Sequence, residues 1–103
     1  MPGKKKVEYV VILEDGVRKR HYHEREKGKV AAFAVQIEVL VNNQWMPIIR
    51  YDASHGSAHV DRFYLDGRKE KIPLGLSFTS AVALADWDIN NNWKSYIKDF
   101  KGR

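Results

Sequence analysis

The segment Val30–Val41 reads VAAFAVQIEVLV and decides the fold. Apolar side chains recur at every second position, which places them on one face of a β-strand. These positions are Ala31, Phe33, Val35, Ile37, Val39 and Val41. The other face is mixed, with Gln36 and Glu38 among small and apolar side chains. We therefore expect a central strand whose odd-numbered face lies on the hydrophobic core.

Shorter strand-like segments flank this central strand and are separated by turn signals. The pair Asp15-Gly16 is typical of a two-residue hairpin loop, because glycine readily adopts a positive φ, and Asp-Gly recurs at 66–67. The Asn pair at 42–43 indicates another tight turn, since asparagine tolerates the left-handed region. The predicted strands are Val7–Glu14, Val17–Glu24, Trp45–Asp52, Ala58–Leu65 and Arg68–Ile72. Strands joined by such hairpins form an antiparallel meander.

The spacing of apolar residues changes to a helical one in the C-terminal part of the chain. The residues Phe78, Val82, Ala85, Ile89, Trp93, Tyr96 and Phe100 fall on a single stripe of one helix. Ser77 or Thr79 can cap the start of this helix. The sheet and the helix each have one apolar face to cover. We therefore expect an α+β domain, an antiparallel meander of about five to six strands packed on one C-terminal α-helix.

Length and composition limit the domain organisation. A chain of 103 residues supports one core, so we expect a flexible basic N-terminus over 1–6 and a single domain over 7–103. The absence of cysteine excludes disulfides and thiolate catalysis. No apolar run reaches the roughly 18 residues of a membrane span, and no apolar leader follows the basic start. We therefore expect a cytoplasmic protein without a membrane partner.

Positive charge is concentrated near the N-terminus. The net charge is +5, and residues 1–29 contribute +4 of it, with nine basic and five acidic residues. Arg18, Lys19 and Arg20 form a dense cluster in this region. They are candidate binding residues for the phosphates of a nucleic acid. The alternative is a charged strand face that is simply solvated.

The richest group of chemically active residues is the segment 50–62, which runs from one predicted strand around a glycine loop into the next. Functional side chains commonly lie at strand ends and in loops. The candidate catalytic residues are Asp52, His55, His59 and Asp61. Two imidazoles and two carboxylates suit general acid–base chemistry or a divalent metal ion. Arg50 and Tyr51 are candidate binding residues beside them, since the planar guanidinium of Arg50 suits a phosphate or a carboxylate.

The same segment also fits a purely structural role. Asp52 can accept hydrogen bonds from backbone N–H groups of the loop, as aspartates at turns often do. Arg50 and Asp61 can form a cross-strand ion pair on a solvated face. The histidines can be partly exposed loop residues. No zinc-protease motif is present, because no glutamate follows the first histidine.

Two further features lie outside this segment. His21 and His23 are two residues apart on a predicted strand and face the same way. They can hold a metal ion only with a third ligand, and the alternative is a polar strand face. Trp87 falls off the helical stripe, so we expect it to be exposed. An exposed tryptophan can stack on a base.

A family resemblance rests on the pattern RYD-x3-G-x2-H-x-D over residues 50–61. Small prokaryotic domains without an assigned mechanism share this strand end, glycine loop and histidine, together with a later helical segment that residues 88–93 match. The chain resembles these domains and, more distantly, the TumE-like toxin components of bacterial toxin–antitoxin pairs. The resemblance implies a similar sheet-plus-helix domain and an antitoxin as a protein partner. In the toxin-like pattern a His-x-His pair follows the loop, whereas this chain has His59-Val60-Asp61.

Three hypotheses about function follow. The first is a small domain that binds nucleic acid or a protein partner through the basic N-terminal hairpin and the polar site. The second is a metal-dependent or acid–base nuclease that uses the same site, with Arg50 as the phosphate clamp. The third is a protein-interaction module that uses Trp87 or a sheet edge as its surface.

Overall fold

Six strands and one helix make up the domain in a computed structural model, which describes residues 3–53 and 56–102. The strands are β1 (Lys5–Glu14), β2 (Val17–Glu26), β3 (Lys29–Val41), β4 (Gln44–Asp52), β5 (His59–Phe63) and β6 (Lys69–Pro73). The helix is α1 (Phe78–Lys101). Each strand pairs with the next in one antiparallel sheet of order β1-β2-β3-β4-β5-β6. The expected fold, an antiparallel meander with one C-terminal helix, is confirmed.

Residues in the left-handed region close two of the hairpins. Gly16 has a φ of 76° between β1 and β2, and Asn42 and Asn43 have φ values of 50° and 65° between β3 and β4. Pro47 lies where the register of β3 and β4 shifts, opposite Glu38. A bulge of this kind accommodates a residue that has no N–H to donate.

The first strand begins earlier than the sequence pattern predicts. Lys5 and Lys6 belong to β1, where they pair with Arg25 and Glu24 of β2, so the strand overlaps the predicted flexible segment. Lys4 Nζ also lies 3.0 Å from Glu24 Oε1. Pairing with a long neighbouring strand and this ion pair extend β1 toward the N-terminus.

The helix covers one face of the sheet and contacts β3 and β4. The side chains with no exposed surface at this interface are Val35, Ile37, Ala81, Ala85 and Ile89. The predicted core face of the central strand is confirmed at Phe33, Val35, Ile37 and Val39. It is wrong at Ala31, which is exposed while Val30 is buried, because the register of β2 and β3 shifts there. Ser77 caps the helix, because its hydroxyl accepts a hydrogen bond from the Ser80 N–H at 3.1 Å. Among the described residues, no helix has the length and hydrophobicity that a membrane span requires.

Two polar residues of β2 are buried beneath α1. Lys19 and His21 are 4% and 2% exposed. Lys19 Nζ lies 2.9 Å from Asp86 Oδ1, and His21 Nδ1 lies 3.1 Å from the same oxygen. Burial opposes the ionisation of Asp86, but the hydrogen bonds from His21 and Lys19 outweigh it and lower the pKa of Asp86 to about 2. The helix is thus joined to β2 by a charged contact as well as to β3 and β4 by the apolar core.

Asp86→Asn should lower the free energy of unfolding at pH 7 by about 1–3 kcal/mol, because a neutral amide is a weaker acceptor for two buried donors. The folded pKa of Asp86 lies below its ordinary value of 3.8, so its stabilising effect is present above about pH 4 and is lost as the pH falls toward 2. The variant should lack this part of the acid-induced loss of stability. Urea unfolding between pH 2 and 7 measures both effects. The control is Asp15→Asn in an exposed turn. If the free energy of unfolding of Asp86→Asn fell between about pH 4 and pH 2 as much as that of the wild type, the prediction would be contradicted.

Candidate functional site

The face of the sheet opposite α1 is polar. Ile37 points toward the helix, so its neighbours Gln36 and Glu38 point the other way. Cross-strand partners share a face, and the register extends this surface across β2, β3, β4 and β5. We call it the polar face, and its residues are Arg18, Arg20, Gln36, Glu38, Arg50, Asp52, His59 and Asp61.

Three predicted site residues converge on the polar face. Asp52 is the last residue of β4 and pairs directly with His59, the first residue of β5. Asp61 follows two positions later on β5 and therefore points the same way as His59. His59 Nε2 lies 2.9 Å from Asp52 Oδ1 and 3.6 Å from Asp61 Oδ2. One ligand atom from each of the three residues lies within 4.8 Å of the other two.

The cluster is largely removed from solvent, although it lies on the face opposite the helix. His59 is 4% exposed and Asp61 is 3% exposed. Asp61 Oδ1 is buried and has no hydrogen-bond partner among the described residues. Lys69 Nζ lies 3.9 Å from the other oxygen of Asp61. A buried carboxylate oxygen without a partner is costly, so this atom calls for a ligand that the described residues do not supply.

The donor set suits a divalent cation. His59 Nδ1 lies 3.4 Å from the carbonyl oxygen of Ser57, a contact in which Nδ1–H donates and Nε2 faces the two carboxylates. Histidines that bind metal ions commonly have their second ring nitrogen held in this way. One imidazole nitrogen and two carboxylate oxygens suit Mn²⁺ or Zn²⁺. Three protein ligands leave coordination positions for water or for a substrate oxygen.

Arginines are held in an ordered network beside this cluster. Arg18 Nε donates to Glu38 Oε1 at 2.5 Å, and Arg20 Nε lies 3.4 Å from Glu38 Oε2. The side-chain amide of Gln36 donates to Glu38, and Gln36 Oε1 accepts from Arg50 Nε at 2.6 Å. The network runs from β2 to β4 and fixes the position of three guanidinium groups on one surface. Glu38 offsets part of their charge.

Aromatic rings also hold two of these arginines. The guanidinium of Arg18 lies 4.0 Å from the ring centre of Trp45, and that of Arg50 lies 5.4 Å from the ring centre of Phe63. Such stacking favours the flat orientation of a guanidinium group. Arg50 is also the cross-strand partner of Asp61, which places it next to the His–carboxylate cluster.

The structure separates other residues that the sequence grouped with the site. Tyr51 lies on the helix-covered face, where its hydroxyl donates to Asp88 Oδ2 at 2.5 Å. Burial is the main cause that raises the pKa of Tyr51 well above its usual range, and the hydrogen bond to Asp88 adds to it. Lys19 is also on that face, so the basic cluster is divided: Arg18 and Arg20 lie on the polar face and Lys19 lies beneath α1. His55 lies outside the described residues.

The histidines of β2 do not join His59. His21 and His23 point to the helix side of the sheet, whereas His59 is on the polar face. His21 Nε2 lies 2.8 Å from His23 Nδ1, and the ring of Tyr9 stacks on His21 with 4.6 Å between ring centres. Burial and the nearby His21 lower the pKa of His23. Asp86, His21 and His23 form a separate chain of hydrogen bonds that joins β2 to α1.

The sequence pattern does not mark three residues near the site. Gln36 and Glu38 are polar exceptions in an apolar strand, and Lys69 lies in a short charged strand. The sequence does contain one signal for a polar network, a glutamine and a glutamate at alternate positions of a central strand. A buried sheet face rarely carries a charge without a partner. Their partners on β2 and β4 depend on the strand register.

Fold and site together define a small α+β domain in which one sheet face packs on a helix and the other carries a buried His–carboxylate cluster. The chain belongs to the family described as Domain of unknown function (DUF7718), whose model matches residues 2–103. No curated protein and no solved structure matches the chain. The function is therefore argued from the geometry of the polar face.

Proposed function

We propose that this domain binds a divalent cation through Asp52, His59 and Asp61, and that the cation and the neighbouring arginines hold a phosphate group of a nucleic acid. The observation that carries the proposal is the buried oxygen of Asp61, which lies beside His59 and Asp52 and has no hydrogen-bond partner among the described residues. A cation at this position gives that oxygen a partner. It also offsets the repulsion between two carboxylates held near one imidazole.

The arginines supply the second half of the proposal. A cation with three protein ligands has positions left for phosphate oxygens, as in many sites where a metal ion orients a phosphorylated substrate. Arg50 is adjacent to the cluster, and Arg18 and Arg20 extend the guanidinium groups across the polar face. A guanidinium group matches the geometry of a phosphate. The excess of positive charge in residues 1–29 favours a polyanion over a small phosphate ester.

Titration with Mn²⁺, followed by NMR of the histidine rings, tests the cation site. We expect the paramagnetic ion to broaden the His59 signals at the lowest amounts added and to broaden those of His21 and His23 much less, since these lie three strands away and on the other face of the sheet. Equal broadening of all three, or none in excess Mn²⁺, would overturn the proposal. A matched control is Asp66→Asn, which removes an exposed carboxylate from the β5–β6 turn and should leave the titration unchanged.

The phosphate half of the proposal has a separate readout. Binding of a single-stranded RNA to the Mn²⁺-loaded domain should weaken with added salt and weaken further with EDTA. If the domain bound Mn²⁺ but its RNA binding did not respond to salt and EDTA, the cation site would stand and the nucleic acid would be rejected as the ligand of the polar face.

A metal-dependent nuclease is the second candidate function. The open coordination positions favour it, because a metal-bound water is a ready nucleophile for a phosphodiester. The resemblance to TumE-like toxin components implies an antitoxin as the protein partner. RNA cleavage that EDTA stops would support this candidate over binding alone.

A further inference from the structure

β1 is an edge strand with an apolar surface. It is ten residues long and pairs with β2 on one side, and among the described residues no strand lies on its other side. Five of its apolar side chains are between 37% and 66% exposed, namely Val7, Tyr9, Val10, Val11 and Ile12. The unpaired N–H and C=O groups of such a strand form a template on which another strand can pair.

The opposite edge of the sheet is protected against such pairing. β6 is five residues long and reads KEKIP, with three charged residues and a proline. Short length, charge and proline are the features that keep an edge strand from pairing with other chains. β1 lacks them over residues 7–13, where Glu8 is the one charged residue. The two edges therefore differ in a way that marks β1 as a contact surface.

We propose that β1 pairs with β1 of a second copy of this chain in antiparallel orientation, so that two six-stranded sheets become one continuous sheet. The charges at the two ends of the strand set the orientation. Antiparallel pairing about the middle of β1 brings Lys5 and Lys6 of each copy close to Glu14 of the other. Parallel pairing would instead place like charges side by side, which is unfavourable.

A second copy fits this edge because the strand is complementary to itself. Its ends carry opposite charges, and its apolar middle meets the same apolar residues of the partner. A two-fold axis then relates the two copies. Both β1 edges are paired in this arrangement, so no third copy can add there and the assembly is a dimer. The protected β6 edges remain at the two outer ends of the joined sheet.

Size-exclusion chromatography with light scattering tests the proposal. At micromolar concentrations we expect a mass of twice 12.0 kDa for the wild-type chain. The double variant Val10→Lys, Ile12→Lys should elute as a folded monomer with an unchanged circular dichroism spectrum, since both side chains are exposed. The matched control is Ile72→Lys, which places the same charge on an exposed residue of β6 and should remain a dimer.

The absence of cysteine permits a second, independent measurement. Val10→Cys lies near the middle of β1, so mild oxidation should link two copies through a disulfide, whereas Ile72→Cys should not be linked. A monomeric wild type, a dimer that survives the double lysine substitution, or a larger open-ended assembly would each overturn the proposal. Efficient linking of Ile72→Cys would also overturn it, because that result places the contact at the other edge.

Discussion

Asp61→Asn is expected to weaken Mn²⁺ binding by about 100-fold or more while changing the free energy of unfolding of the metal-free protein by no more than about 1 kcal/mol. The substitution removes one ligand and one negative charge from the cluster of Asp52, His59 and Asp61. It also removes the charge from a buried carboxylate, one oxygen of which has no partner among the described residues, and a buried charge is costly. Relief of that cost offsets the loss of the contacts with His59 and Lys69.

The two readouts distinguish a binding site from a structural ion pair. If the role of Asp61 were to stabilise the fold, the asparagine variant would unfold at clearly lower urea concentration and would bind Mn²⁺ as the wild type does. Isothermal titration with Mn²⁺ and urea unfolding measure the two quantities on the same sample. Asp66→Asn is the control, because it changes an exposed carboxylate in the same way without touching the cluster.

Asp88→Ala is expected to lower the free energy of unfolding by about 3–4 kcal/mol. Asp88 is 7% exposed and accepts three hydrogen bonds beneath the helix. Tyr51 and Tyr96 donate to Oδ2 at 2.5 and 2.6 Å, and Asn92 donates to Oδ1 at 2.7 Å. Alanine leaves these donors without their acceptor, and the hydroxyl of Tyr51 is too deeply buried to reach water readily.

Alkaline pH should act on the same cluster. Burial first, and then the hydrogen bonds to Asp88, raise the pKa values of Tyr51 and Tyr96 above their ordinary value of 10.0. Because the folded pKa values are the higher ones, the protonated hydroxyls stabilise the fold fully below about pH 10, and this contribution is lost as the pH rises further. The wild-type free energy of unfolding should therefore fall above pH 10, and the fall should be shallower in Asp88→Ala.

A second substitution separates the cost of unpaired donors from loss of packing. Adding Tyr51→Phe to Asp88→Ala removes the buried hydroxyl that lost its acceptor. The double variant should be no less stable than Asp88→Ala, although Tyr51→Phe alone should cost about 1 kcal/mol in the wild-type background. Additive losses measured by urea unfolding would show that the hydrogen bonds are not the source of the effect.

Much of the architecture could be predicted because it depends on local pattern. The alternation in Val30–Val41 places Val35 and Ile37 in the core, and the turn residues Gly16 and Asn42 adopt the positive φ values that their positions predict. The helical stripe is correct but incomplete. Ala81, Asp88 and Ile97 are also buried on α1, because a helix that crosses a sheet buries a wider arc than one row of apolar residues.

The candidate site could be predicted only in part. Asp52, His59 and Asp61 converge because a hairpin returns the chain to the same place, which the glycine loop already indicated. Tyr51 is next to Asp52 in sequence, yet a single step along a strand turns its side chain to the other face. Lys19 was separated from Arg18 and Arg20 for the same reason.

The sequence by itself determined the order of strands, turns and helix, and the residues that can carry a cation or a phosphate. Periodicity and turn chemistry are local properties, so they can be read along the chain. The tertiary structure decided which charges meet: Lys19 with Asp86 beneath the helix, and Arg18 with Glu38 on the polar face. The strand register and the position of α1 on the sheet determine these partners. Both depend on the packing of residues that are far apart in sequence. The same packing buries the Asp61 oxygen to which a bound cation would give a partner.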